Sequence, residues 1–234
     1  MSEPGPAKPA GRTCAGCGAP ARPPFQAPPP ELAPDLDLRP GEPTRSTLHR
    51  WINTCRSCGL SAPDLAELPA GARDTAATPA YAALAGKAAE LAFLRYALLC
   101  EKAGDAAEAA GAVLQAAWVL DDRGEDAAPL RMRAAALWSG GNTMEDALRA
   151  LDTLRRAGAL DPAARQARAL LARPDLNETD RAVVTYQQAL IEDADVGRHL
   201  MSSALRPPAQ RPHVTHGTRP KEERRSFWQR LVGR

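Results

Sequence analysis

From Thr78 to about Leu205 the chain reads as a series of helical segments, each with an apolar face, separated by Gly, Asn and Asp breaks. Helices are expected at roughly 79–86, 87–103, 106–121, 126–139, 143–157, 161–172, 177–194 and 195–204. Phe93, Tyr96, Trp118, Trp138 and Tyr186 fall on the apolar faces of these segments and read as core. Thr78-Pro79 supplies an N-cap followed by proline at the first helical position, and Ser61 to Leu65 reads as a short capped helix. The pattern Ala97-x₂-Cys100-x₃-Gly104-x₄-Ala109-x₃-Val113-x₂-Ala116 is echoed 37 or 38 residues later by Gly141, Ala147, Leu151 and Leu154. Small residues at 97, 109 and 116 let two antiparallel helices approach closely while Gly104 closes the turn, so α-hairpins of a tetratricopeptide-like kind are expected.

The front of the chain lacks this periodicity. Twelve of the 22 prolines lie at or before Pro43, which rules out helix there, and Ala19 to Pro34 reads as a long inserted loop. Ser46 to Thr54 is the best strand candidate, with Asp35 to Leu38 as its expected partner. Aromatic residues make up only 4% of the chain, so alanine and leucine must build the core, and both favour helix. With two Cys-x-x-Cys pairs, Cys14 with Cys17 and Cys55 with Cys58, in this front part, the expected fold class is mainly α: a small N-terminal zinc ribbon with a short β element, then an array of antiparallel α-hairpins. The expected layout is a disordered 1–13, a zinc-ribbon-like module over 14–66, a helical domain over 78–205, and a basic tail over 206–234 that ends in a short amphipathic helix.

Four of the five cysteines form two Cys-x-x-Cys-Gly knuckles, Cys14-Ala15-Gly16-Cys17-Gly18 and Cys55-Arg56-Ser57-Cys58-Gly59. Each short loop presents two thiolates, and the glycine after the second cysteine can take the left-handed backbone that a tight metal knuckle needs. Neither knuckle opens a helix beside a βαβ pattern, as a redox dithiol would. Cys14, Cys17, Cys55 and Cys58 are therefore expected to hold a structural Zn²⁺ with no coordination position left for water. Cys100, among Ala97, Leu98 and Leu99, reads as a buried apolar residue. His49 is placed on the strand before the second knuckle, and His213 and His216 in the tail.

Charge is uneven along the chain. The formal net charge is +2, but residues 204–234 carry +6 and residues 1–203 carry −4. A mildly acidic body is not the broadly basic surface of a nucleic-acid-binding domain. Arg12, Arg22, Arg39, Arg45, Arg50 and Arg56 give a ribbon-based nucleic-acid reading some footing, although Glu31, Asp35, Asp37 and Glu42 stand among them. In the tail, Phe227 with Leu231 and Trp228 with Val232 stand at i,i+4 among cations that include Arg230. This resembles the short amphipathic helices by which some bacterial peripheral proteins meet anionic membranes, while a docking peptide for a protein partner remains open. Asp121-Asp122 and the acidic run Glu192 to Asp195 show no partnering His or Lys nearby in sequence, so catalysis is not expected of them. Met1 to Arg12 has no apolar core of a signal peptide, and no stretch has the roughly 18–20 apolar residues of a spanning helix. A cytoplasmic protein is expected, with peripheral contact at the inner face of the membrane through its tail.

The segment Asp35-Leu36-Asp37-Leu38-Arg39-Pro40, the run Trp51 to Asp64 around the second knuckle, Ala116-Ala117-Trp118 and Asp121-Asp122 together resemble a bacterial family catalogued only as a domain of unknown function. The resemblance implies an N-terminal cysteine-knuckle zinc ribbon followed by tetratricopeptide-like helices, with Cys14, Cys17, Cys55 and Cys58 as ligands and no stated activity. The functional expectation is a non-enzymatic, zinc-binding adaptor that engages a protein partner through its hairpins. A nucleic-acid-binding ribbon is the alternative, and an enzyme of unidentified activity the third.

Overall fold

The computed structural model describes residues 11–139 and 143–205. It is mainly helical, with one small two-stranded sheet ahead of the helices. A 3-10 helix, Arg45–Arg50, leads into β1 (Asn53–Thr54), which pairs antiparallel with β2 (Ser61–Ala62) in the register Asn53 to Ala62 and Thr54 to Ser61. There follow α1 (Ala72–Ala76), α2 (Pro79–Ala82), α3 (Ala89–Ala103), α4 (Ala106–Arg123), α5 (Ala128–Trp138), α6 (Met144–Arg156), α7 (Leu160–Leu171), α8 (Glu178–Glu192) and α9 (Met201–Ala204).

Local chemistry sets the breaks. Gly104 ends α3 at φ +85, and the next residue, Asp105, accepts a hydrogen bond from the Glu108 N–H to start α4. A side-chain residue would resist that backbone turn, whereas glycine takes it freely. Thr143 and Asn177 cap α6 and α8 in the same way through the amides of Asp146 and Asp180. Consecutive helices from α3 to α8 pack on one another. Ala97, Ala109 and Ala116 are fully buried where α3 meets α4, as close approach of two helices requires. One apolar cluster, centred on Phe93, Val113, Leu114, Trp118 and Trp138, joins α3 to α6, and a second around Leu151, Ala167 and Val184 joins α6 to α8.

Several expected elements differ. Most of Ser46 to Thr54 is 3-10 helix, because Thr47 turns back on the Thr44 carbonyl and Trp51 donates its indole N–H to Thr47 Oγ1. His49 consequently lies on an exposed turn, not a strand. The partner of the remaining strand is Ser61–Ala62, where a helix start was expected, and the helix Ala72–Ala76 had no sequence signal strong enough to place it. The segment expected at 195–204 is helical only over Met201–Ala204, since Arg155 takes up the carbonyls of Asp195 and Gly197 and holds that stretch open.

Asp35 to Leu38 does not pair with the strand. Residues 34–45 form a strap across the helical body: Asp35 bridges Leu200, Leu36 N–H donates to the His199 carbonyl, and Leu36 packs on Val183 and Leu190. Asp37 and Arg39 are buried against α4. Residues 1–10, the repeat position Gly141 and the tail from 206, with Phe227, Trp228, Arg230, Leu231, Val232, His213 and His216, lie outside the described residues. Arg12 and Thr13 are tied down, by the Asp64 carboxylate and by a bridge to Pro20. Among the described residues no helix is long and apolar enough to cross a membrane.

Candidate metal centre

Both knuckles are built the same way. The Gly18 N–H donates to the Cys14 carbonyl at 2.8 Å and the Gly59 N–H to the Cys55 carbonyl at 2.9 Å, with both glycines at φ +74. Each turn thus closes on its first cysteine and points both thiols to one side. The first knuckle is anchored by Ala15 N–H to the Leu65 carbonyl, and the second by Cys55 N–H to the Leu60 carbonyl, both at 2.8 Å. A Cβ at Gly16 would collide with the Leu60 side chain, so the small residue there lets the two loops meet.

The four expected ligands come together. The sulfurs of Cys14, Cys17, Cys55 and Cys58 all lie within 4.8 Å of one another, with 3.8 Å between Cys14 and Cys58 and 3.6 Å between Cys17 and Cys55. Four thiolates around one tetrahedral zinc, at about 2.3 Å each, stand about 3.8 Å apart. The cluster can therefore bind a metal ion and is consistent with a zinc-binding domain. All five cysteines are free thiols. Cys14 and Cys55 are buried, Cys58 is half-buried and Cys17 is exposed. Burial disfavours the thiolate at Cys55, but the amides of Cys58 and Ser57 outweigh it and bring the thiol down to about 7. Burial and the neighbouring sulfurs push Cys58 up to about 12. Cys55 thus ionises readily, whereas Cys58 needs a cation to offset burial and the crowding of sulfurs, as in a metal site.

The neighbours that hold the knuckles gave little signal in sequence. Tyr81, buried at the first turn of α2, donates its hydroxyl to the Gly59 carbonyl and accepts from the Ser61 N–H, each at 3.1 Å. Arg73 donates to the Ala15 carbonyl at 2.9 Å. A Thr-Pro cap predicts the helix that carries Tyr81, but only the fold brings its ring to the second knuckle. Cys100 lies apart, fully buried in α3, and burial pushes its thiol up to about 11, which leaves it unreactive.

The acidic candidates have basic partners distant in sequence. Asp121 binds Arg131 at 2.9 Å and Arg156 at 3.1 Å, and Asp122 binds Arg39 at 2.5 Å. Asp37 accepts from the Trp118 indole at 2.8 Å and from Arg156 at 3.1 Å. Asp195 does have a histidine partner: His199 Nε2 lies 2.9 Å from its carboxylate, and His199 Nδ1 lies 3.2 Å from the Tyr186 hydroxyl. That group clasps the corner where the strap meets α8. The motifs around Asp35 to Pro40, Trp118 and Asp121-Asp122 thus converge on a single buried polar cluster.

Comparison of the chain with family models, with curated proteins and with solved structures returns no match. The resemblance to a family of unknown function gains nothing from them, and the four-cysteine cluster stands as the structural finding.

Proposed function

We propose that the chain is a non-enzymatic adaptor in which Zn²⁺, held by Cys14, Cys17, Cys55 and Cys58, folds the N-terminal head, and the tetratricopeptide-like hairpins receive a protein partner. The observation that carries this reading is the convergence of four sulfurs. Four cysteine ligands satisfy zinc and leave no place for a reacting water, so the metal holds structure.

The partner surface is supported by a cavity of about 350 Å³ between the strap and α6, α8 and α9. Leu36, Leu38, Leu148 and Val183 line it, with Glu145 and Asp180 among its polar residues. The matching occupant is an amphipathic partner segment with an apolar stripe and flanking cations. Contact of the C-terminal segment with an anionic membrane, through Phe227, Trp228, Arg230, Leu231 and Val232, is the second part of the proposal. It rests on their spacing in the sequence.

Affinity capture with the wild-type chain and with Leu38→Glu tests the adaptor reading. A protein held by the first and lost from the second, with metal content equal in both, is expected. Turnover of a substrate by the purified protein with no protein captured would overturn it. Liposome co-sedimentation abolished by Phe227→Glu or Trp228→Glu is the expected result for the tail.

A further inference from the structure

The six N-terminal arginines separate into two sets. Arg12, Arg39 and Arg45 each hold a carboxylate, of Asp64, Asp122 and Asp35. Arg22, Arg50 and Arg56 are exposed and line two adjoining cavities of about 390 and 740 Å³. Arg22, Ile52 and Asn53 belong to both, so the two form one trough across the proline-rich loop, β1 and the second knuckle. Among the described residues no carboxylate lines either cavity, in a chain that has 28 acidic residues. The Arg50 guanidinium lies 3.9 Å from the centre of the Phe25 ring.

Each feature suits a phosphodiester strand. A guanidinium with no internal counter-ion keeps its fork of donors for phosphate oxygens. A cation stacked on an aromatic ring gives a flat platform on which any base can lie. Among the described residues the exposed large apolar side chains Leu32, Met132, Val196, Leu200 and Leu205 line neither cavity, and the trough's own Phe25 and Ile52 are half-buried, so it lacks the fully exposed apolar anchor of a membrane surface. A flexible single strand can follow a path bent over loop, strand and knuckle, whereas a duplex is stiff. We propose that Arg22, Arg50 and Arg56 hold the backbone of a single-stranded nucleic acid, with the Arg50 and Phe25 pair stacking one base. This goes beyond the adaptor reading and is independent of it.

The test is fluorescence polarisation of the full chain, metal bound, with labelled oligo(dT) and oligo(rU) of about 12 nucleotides over a salt series. Each phosphate contact contributes about −0.7 to the slope of log affinity against log salt. The triple variant Arg22→Ala, Arg50→Ala, Arg56→Ala should flatten the slope by about 2 and weaken low-salt binding at least about tenfold. Its metal content and melting should match wild type. Phe25→Ala should weaken binding and leave the slope unchanged. Equal binding by the triple variant would assign the affinity to the basic residues beyond 205 and overturn the proposal, as would no binding by wild type. Displacement of the strand by poly-glutamate at equal charge concentration would overturn it in favour of an acidic peptide. Capture by anionic vesicles but not by oligonucleotides, lost in the triple variant, would overturn it in favour of lipid.

Discussion

The cysteine head and the strap are neighbours in a proline-rich sequence, yet they are held by opposite means. The head has few large apolar side chains, and its buried cluster is Cys14, Cys55, Ala62 and Leu65. So little surface supports little folding, and on the reading proposed above a metal held by the four sulfurs supplies what is missing. The strap carries charge into the body instead: Asp35, Asp37 and Arg39 are all nearly inaccessible, with Asp37 and Arg39 paired to Arg156 and Asp122 of the helices and Asp35 to Arg45 of the strap itself. Buried charges cost several kcal/mol each to desolvate and are tolerated only when paired, so the strap fixes position more than it adds stability. A segment without a core of its own can be fastened from within by an ion or from without by a partner surface, and on this proposal the chain uses both between Cys14 and Cys58.

Removing the metal should have the largest effect and should fall on one side of this comparison. Structural zinc contributes on the order of 10–16 kcal/mol in peptides of this kind. Strong chelation, or Cys55→Ser, is expected to unfold the head while Trp118 stays buried beside Asp37. Elemental analysis with tryptophan fluorescence checks both, and loss of the Trp118 environment together with the metal would merge the two regions into one.

Asp37→Ala should do the reverse. It leaves the Trp118 indole without its acceptor and Arg156 with Asp121 alone, and truncating one partner of a buried pair costs about 3–5 kcal/mol. Urea unfolding should show that loss with metal stoichiometry unchanged. Asp122→Ala, which removes an exposed carboxylate but leaves buried Arg39 without it, should cost less, about 1–3 kcal/mol.

Acidity should act on the helical surface that receives the strap. Burial is the main influence on Asp152, and with nearby Asp37 it outweighs the contact with Arg155, lifting the carboxyl to about 6. One of its oxygens, Oδ2, is buried without a hydrogen-bond partner, which favours the protonated form. The folded chain then holds a proton that the unfolded chain releases nearer 4. Stability from this group is present at low pH and declines as pH rises through 6, by at most about 1.4 kcal/mol per unit. Asp152→Asn should remove that slope from pH-dependent melting. Asp121 works in the opposite sense: burial raises it, but Arg131 and Arg156 hold it below its ordinary range, so its contribution is lost only in stronger acid.

Tyr81→Phe should give the smallest change. It removes the hydroxyl between the Gly59 carbonyl and the Ser61 amide, at about 1 kcal/mol in thermal melting, with the metal retained.

The helices from α3 to α8, the turn at Gly104 and the four-cysteine cluster were legible in the chain, because each rests on interactions within a few residues or on a coordination chemistry that only those side chains satisfy. The strap, the small sheet's true pairing, Tyr81 at the second knuckle and the pairing of Arg12, Arg39 and Arg45 with particular carboxylates were not. Asp37 meets Arg156 across 119 positions, and a strand two residues long carries too little periodicity to announce its partner. Local propensity and ligand type are properties of the chain. Which distant charge a buried carboxylate faces exists only once helices have packed, since packing decides both who is near and who has lost water.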